Sequence, residues 1–186
     1  EVGLLVLIQS IRQNTNLPII AAGGIADGTG MAAVFAAGAE GIQMGTRFVS
    51  SIESPVHQNF KNKIVDSGID GTLILNKSSK PVIRALKSNL TNDIDNNGQM
   101  DMTAMMNIKN LYFDGDMEAA PALSGQSTGL INQIKPVKEI ISEIINEFNK
   151  TCKKIDTANK KMGSNLCLSL LLSLVFLDSL LYEYDV

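Results

Sequence analysis

Cysteine is nearly absent from the 186-residue chain: Cys152 and Cys167 are the only two, and both lie near the end. No disulfide framework can hold the fold, and neither thiol has metal-ligand spacing or a histidine companion. Histidine occurs once, at His57, with no acidic or cysteine partner at useful spacing, so a structural or solvated role is expected for it. An excess of basic residues is missing too. Sixteen Lys and Arg stand against 19 Asp and Glu, a net charge of −3 that gives no support to nucleic-acid binding. No charged n-region followed by an apolar run and cleavage site opens the sequence, and a cytoplasmic, reduced setting is the expectation. What remains is a chain with 45% apolar residues, enough for one ordinary globular core.

Glycine is spread unevenly, with eight of the 15 between Gly3 and Gly45. Residues 4–13 (LLVLIQSIRQ) carry apolar side chains at helical spacing and predict a helix with a poorly capped start. Residues 17–22 (LPIIAA) are a short apolar run bounded by Gly23-Gly24, which reads as a buried strand with Pro18 tolerated near its start. Residues 31–37 are alanine-rich and uniformly apolar, a helix packed on something flat and ended by Gly38. Residues 41–44 form a second short strand running into a Gly45-Thr46 turn. Two strands joined through one helix of this length imply parallel pairing, and hence an α/β fold.

Downstream, Ser54-Pro55 sits in the favoured Ncap–N1 arrangement and predicts an exposed amphipathic helix over 54–66. Thr72–Leu75 is a brief apolar run, 81–90 is expected to be helical, and 89–97 (NLTNDIDNN) reads as a polar turn ending at Asn97-Gly98. The methionine-rich stretch 102–111 predicts a helix whose methionines fill gaps or pack a lid. Over 135–150, Val137, Ile140, Ile141, Ile144, Ile145 and Phe148 make one apolar stripe on a surface helix. The end is different: 166–177 is an almost charge-free run of 12 residues, short of the ~20 that span a bilayer, and Asp178 interrupts it. A buried terminal helix, an oligomer contact or sequence foreign to the ancestral fold suits it better than a membrane anchor. The expected division is residues 1–150 as one domain and 151–186 as an atypical tail.

The chemistry concentrates at two strand ends. Gly23 and Gly24 follow one strand and precede a helix, so their backbone N–H groups can approach an anion, with the helix N-terminus adding partial positive charge. Gly45-Thr46 repeats the arrangement after the next strand and adds a hydroxyl donor. Either pair alone reads equally well as a tight turn. Together, at this spacing, they suit one phosphate, as the loops after the last two strands do in (β/α)8 barrels. A dinucleotide fingerprint is set aside, because Gly24 to Gly30 does not supply G-x-G-x-x-G at the strand end and Glu40 precedes a strand. Asp114, Asp116 and Glu118 could suggest a cation site, but a capped helix start is the simpler reading.

Residues 21–48 (AAGGIADGTGMAAVFAAGAEGIQMGTRF) resemble the FMN-binding half of the nitronate monooxygenase (2-nitropropane dioxygenase) family, which includes the FMN-dependent type II enoyl-[acyl-carrier-protein] reductases. The likeness continues through 53–57 (ESPVH), 115–118 (GDME), 124–127 (SGQS) and 135–140 (KPVKEI). The resemblance implies the C-terminal part of a (β/α)8 TIM barrel, an incomplete barrel with its last two strands present and FMN as cofactor. By position, Gly23 and Gly24 match the family's seventh-strand phosphate loop. Gln43, Met44, Gly45 and Thr46 match its eighth-strand segment, and Gln126 falls in a segment expected to pack near the flavin. The family's catalytic histidine belongs to an upstream half that this chain lacks, so no catalytic residue is assigned within it. Family members end near residue 150, which makes the apolar tail foreign to them.

The implied reaction is oxidation of an alkyl nitronate with dioxygen, and the 115–126 segment (GDMEAAPALSGQ) resembles that group more. The alternative within the family is reduction of an enoyl thioester, with NAD(P)H reducing the flavin. Either implies a small-molecule substrate, and the chain could form a homo-oligomer. An alternative of another class is a non-catalytic remnant that self-associates or sits on a membrane through 166–177.

Overall fold

The computed structural model describes residues 2–98 and 100–165. It opens with helix α1 (Leu4–Arg12), whose N-cap Gly3 makes no side-chain cap bond, as the sequence predicts. Strand β1 (Ile20–Ala22) is shorter than the apolar run that contains it, and Pro18 falls outside it. Helix α2 (Gly28–Ala36) starts three residues before the alanine-rich stretch, because Asp27 caps it by accepting from the Gly30 amide at 2.7 Å. It stops before Gly38, whose φ of +111° excludes most side chains. Strand β2 (Gly41–Gln43) then lies parallel to β1, in the register Ile20 to Gly41, Ala21 to Ile42 and Ala22 to Gln43.

This strand–helix–strand unit buries one face only. Ala21 joins Ile8, Ile19, Ile25, Val34 and Ala39 in a core that Ile42 and Met44 flank. On the other face Ile20 is 59% exposed and Ala22 and Gln43 are exposed as well. Arg12 closes the helix side, donating to the Gly38 carbonyl and to Glu40 at 2.7 Å.

A short helix α3 (Thr46–Val49) follows β2, and helix α4 (Gln58–Val65) comes after a loop. The expected start at Ser54-Pro55 is corrected: His57 is the N-cap, its Nδ1 accepting from the Asn59 amide at 3.1 Å. Nor is α4 merely an exposed helix. Phe60 and Ile64 are fully buried in a second core with Ala26, Leu86, Leu111 and Ile131, and Lys61 is buried with its Nζ donating to the Ile52 carbonyl.

The largest corrections fall between residues 69 and 123. Where a helix is expected over 81–90, the chain forms strand β4 (Ile83–Leu86), paired antiparallel with β3 (Thr72–Leu75). Pairing decides it, since β3 needs a partner and Leu86 and Ser124 amides extend the ladder to Ala122 and Arg84 carbonyls. The polar stretch expected to be a turn is helix α5 (Asn89–Asn97), ended by Gly98 in the left-handed region. Ser88 and Thr91 cap it reciprocally, and the Glu118 carboxylate accepts the Asn89 and Leu90 amides from 28 to 29 residues away. Its apolar residues Leu90 and Ile94 pack with Leu75, Ala85 and Met100 on the hairpin. The methionine-rich stretch is a 3-10 turn (Met102–Met105) and a π-helical turn (Asn110–Asp114), not one helix. Met105 packs on the hairpin core while Met106 is exposed, so gap filling holds for the former alone.

A 3-10 turn (Gln126–Leu130) precedes helix α6 (Val137–Asn165), whose first amide, that of Val137, is accepted by the Glu53 carboxylate at 2.9–3.0 Å. Its stripe is narrower than the sequence suggests: Ile140 and Ile144 are buried, whereas Ile141 and Ile145 are exposed. The chain divides into two compact units between Phe148 and Asn149. The described part of the second unit is helical, with an i,i+4 pair between Lys160 and Asp156 at 2.7 Å. The α/β class is as expected, and among the described residues the strands form one parallel and one antiparallel pair without closing a barrel. Among these residues no helix is long and apolar enough to cross a membrane. The apolar run at 166–177 and Cys167 lie outside them.

Candidate functional site

The parallel register brings the two glycine-bearing tips side by side, because Ala22 and Gln43 are partners and each is the last residue of its strand. Gly23 and Gly24 have φ of +110° and +70°, values that a side chain would make costly. Among the described residues, chain neighbours aside, no atom lies within 4 Å of where a Cβ would stand on Gly23, Gly24 or Gly45. The backbone therefore lies open along both tips. Open backbone at two adjoining glycine turns fits a phosphate.

Helix α2 contributes less than its position promises, which corrects one expectation. Its Gly28 amide donates to Glu147 Oε2 at 3.0 Å, the Thr29 hydroxyl to Glu147 Oε1 at 3.1 Å, and the Gly30 amide to Asp27. Two carboxylates already occupy the positive end of the helix, so an anion is repelled there and left to the strand tips.

A third segment reaches the tips. Thr46 Oγ1 accepts the Gly125 amide at 2.9 Å, which fastens the start of the Gln126–Leu130 turn beside β2. Gly24, Ile69, Gln126, Ser127 and Leu130 then line a hollow of about 310 Å³ in which, among the described residues, no side chain is charged. Gly24 and Gln126, about a hundred positions apart, thus line one hollow. A larger apolar hollow of about 390 Å³ lies against Leu4, Leu5, Val6 and Val34, with Gly23 and Gly24 on its wall.

The other expected site residues are placed less directly. Gln43 is exposed at the end of β2, and Met44 packs its side chain into the helix-side core, so only its backbone can face a ligand. His57 caps α4 and lies against Gly115, where any Cβ would overlap the imidazole ring. Asp116 accepts the Glu118 amide within a turn, and Glu118 caps the distant α5, so the expected capped helix start at these residues is corrected: only Glu118 caps a helix. Among the described residues no cluster of His, Cys, Asp and Glu could hold a metal.

Arg47 was not singled out by the sequence. It is 7% exposed, and its Nη1 donates to Ser50 Oγ at 3.2 Å and to the Gln133 carbonyl at 3.0 Å. Burial pulls its pKa down while the Glu143 carboxylate pushes it up. The group fastens the loop before α6 to α3. A lone basic residue inside an otherwise apolar stretch right after the Gly-Thr turn is the signal that could have marked it.

An α/β chain with an opening at the carboxyl ends of parallel strands has the layout in which ligands bind across open α/β sheets. Residues 1–147 match the family model described as nitronate monooxygenase, and the chain belongs to that family. A "Probable nitronate monooxygenase" of Staphylococcus aureus (strain MSSA476) is 32% identical over 157 residues, covering 80% of this chain and 44% of the relative. The structure of FabK from Thermotoga maritima superposes with a TM-score of 0.79 at 41% identity, covering 85% of this chain and 52% of that one. A nitroalkane oxidase from Streptomyces ansochromogenes shares the fold at 24% identity and a TM-score of 0.71, covering 83% and 46%. The chain therefore spans about half the length of the relatives it matches.

Proposed function

We propose that this chain is the phosphate-holding part of an FMN-dependent oxidoreductase, with residues 1–150 as the C-terminal portion of a (β/α)8 barrel. The observation that carries this reading is the side-by-side placement of two open glycine tips at the ends of paired strands. The amides of Gly23, Gly24 and Gly45 and the hydroxyl of Thr46 would bind the phosphate, joined by the backbone at Gln43 and Met44. Gln126, able to donate and accept through its amide, would orient what lies in the adjoining hollow, while Ile69 and Leu130 limit water there. FMN, when bound, supplies the redox chemistry. The proposed reaction of the family-type enzyme is oxidation of an alkyl nitronate by dioxygen.

Enoyl-thioester reduction with NAD(P)H is the second reading, favoured by the 41% identity to FabK against 32% for the staphylococcal relative. A nitronate substrate that raises oxygen consumption supports the first reading, and NAD(P)H oxidation dependent on an enoyl thioester supports the second.

Titration of the full chain with FMN, followed by quenching of flavin fluorescence, tests cofactor binding directly. Binding should be clearly tighter for FMN than for riboflavin, which lacks the phosphate. Gly24→Val should weaken it at least about tenfold, since a β-branched residue resists the φ of +70° and its shift displaces an amide whose charge-assisted hydrogen bond is worth about 1.5–3 kcal/mol. Equal affinity for FMN and riboflavin would show that the tips do not hold a phosphate. A colourless, aggregating product would favour the non-catalytic remnant.

A further inference from the structure

Building on the FMN reading, we propose that Thr46 is a positioning residue that couples occupancy of the strand-tip cradle to placement of the segment carrying Gln126. A threonine hydroxyl has one proton to donate and two lone pairs to accept with. One lone pair of Thr46 takes the Gly125 N–H at 2.9 Å. The proton has no acceptor among the described residues, and Thr46 directly follows Gly45 at the cradle. An anion seated on the tip amides therefore finds a hydroxyl with its proton uncommitted. Donating that proton makes the oxygen a better acceptor, so the Gly125 bond strengthens as the cradle fills.

Gly125 passes the effect on as part of a tight unit. Its carbonyl accepts the Thr128 amide at 3.1 Å and the Thr128 hydroxyl at 2.8 Å. Thr128 and Ser124 are both buried, with their hydroxyls 2.7 Å apart, and the Ser124 amide reaches the Arg84 carbonyl of β4. Gln126 and Ser127 ride on this unit and line the same hollow as Gly24. Among the described residues no other hydrogen bond joins the strand tips to residues 124–130. Coupling of this kind is reciprocal, so fixing the segment also favours the anion.

The test is site-resolved amide exchange of the full chain, with and without FMN, for the unaltered protein, Thr46→Ser and Thr46→Val. A hydrogen bond of ordinary strength predicts that FMN slows exchange at Gly125 about three- to tenfold in the first two. In Thr46→Val the Gly125 amide should exchange several-fold faster without FMN and no longer respond to it, and FMN should bind several-fold more weakly. Rescue by serine separates the hydroxyl from mere packing, because valine matches the shape and serine the chemistry. Equal FMN-dependent slowing in Thr46→Val and the unaltered protein would overturn the coupling while leaving FMN binding intact. Unchanged Gly125 exchange in ligand-free Thr46→Val would overturn the tether itself. Failure of the unaltered protein to bind FMN would sink the cofactor reading, and the coupling with it.

Discussion

Residues 17–49 and residues 69–123 reach their folds by opposite routes. In the first, neighbouring residues decide each element: Asp27 caps α2 within its own turn, Gly38 stops it, and β1 and β2 pair across a single helix. In the second, distant residues decide. Strand β4 exists because β3 and the backbone near Ala122 pair with it, and α5 starts where a carboxylate at position 118 meets its amides. A locally determined segment can be read from its sequence and should respond to local substitutions. A remotely determined one should yield to changes far along the chain.

The heaviest blow to the first region should be Gly28→Ala. A Cβ there would overlap backbone atoms of Ile144 and Phe148 and stand 2.8 Å from Glu147 Cβ, so α2 and α6 must separate. Backbone cannot give way as a side chain can, and a loss of about 3 kcal/mol or more is expected. Urea unfolding should show the midpoint collapse. In the second region Gly115→Ala combines a φ of +77° with overlap of the His57 ring, but the ring can shift, so a loss of about 1–3 kcal/mol follows. If the two substitutions cost the same, the clamp of α6 on α2 is softer than its geometry implies.

Two capping carboxylates limit the contrast at an intermediate level, because α2 also takes one acceptor from far along the chain. Glu118→Ala removes the acceptor of the Asn89 and Leu90 amides, and Glu147→Ala that of the Gly28 amide. Each should cost about 1 kcal/mol, in the range of a lost N-cap. Amide exchange should rise in α5 for the first and in α2 for the second, with no crossover. Loosening of α2 by Glu118→Ala would mean that the two regions do not keep their stabilities apart.

The same division explains what could be read in advance. The parallel pair, the helix between its strands and the glycine tips follow from apolar runs bounded by glycine, and the structure places them where the sequence does, within a few residues. The helix expected over 81–90 fails because Ile83–Leu86 is apolar enough for either state and a partner strand settles the choice. The α5 sequence looks like a loop because asparagine and aspartate favour turns locally, and the hairpin beneath Leu90 and Ile94, together with the Ser88–Thr91 capping box, reverses that preference. At the site, Gly24 and Gln126 were both singled out, but the Thr46–Gly125 bond that ties the two segments is a tertiary contact without a local signal. Occupation of the α2 amides by Glu147 was hidden for the same reason, since that carboxylate arrives from another helix 119 residues away.

The smallest expected effect lies at the edge of the hairpin. The Asp70 carboxylate accepts from Lys87 Nζ at 3.2 Å, and this hydrogen bond and the ammonium charge hold its pKa below the ordinary carboxylate value. A folded pKa below the unfolded one stabilises the fold at pH values above the unfolded pKa, and the contribution disappears as pH falls through the folded value. The window therefore opens below about pH 4, where an unpaired aspartate takes up its proton. Asp70 is exposed, so solvent and salt screen the pair and its share at neutral pH is close to the limit of measurement. Asp101 is held down in the same direction by the Thr103 amide, which places two acid-sensitive carboxylates in residues 69–123. In Asp70→Asn the stability of the hairpin should fall less steeply as pH drops from 4, and the difference from the unaltered protein should vanish in 1 M salt, where the Debye length is about 3 Å. Peptide-resolved amide exchange across β3 and β4 reads this out. A difference that persists undiminished in high salt would mean that hydrogen-bond geometry at Lys87, rather than charge, secures this end of the hairpin.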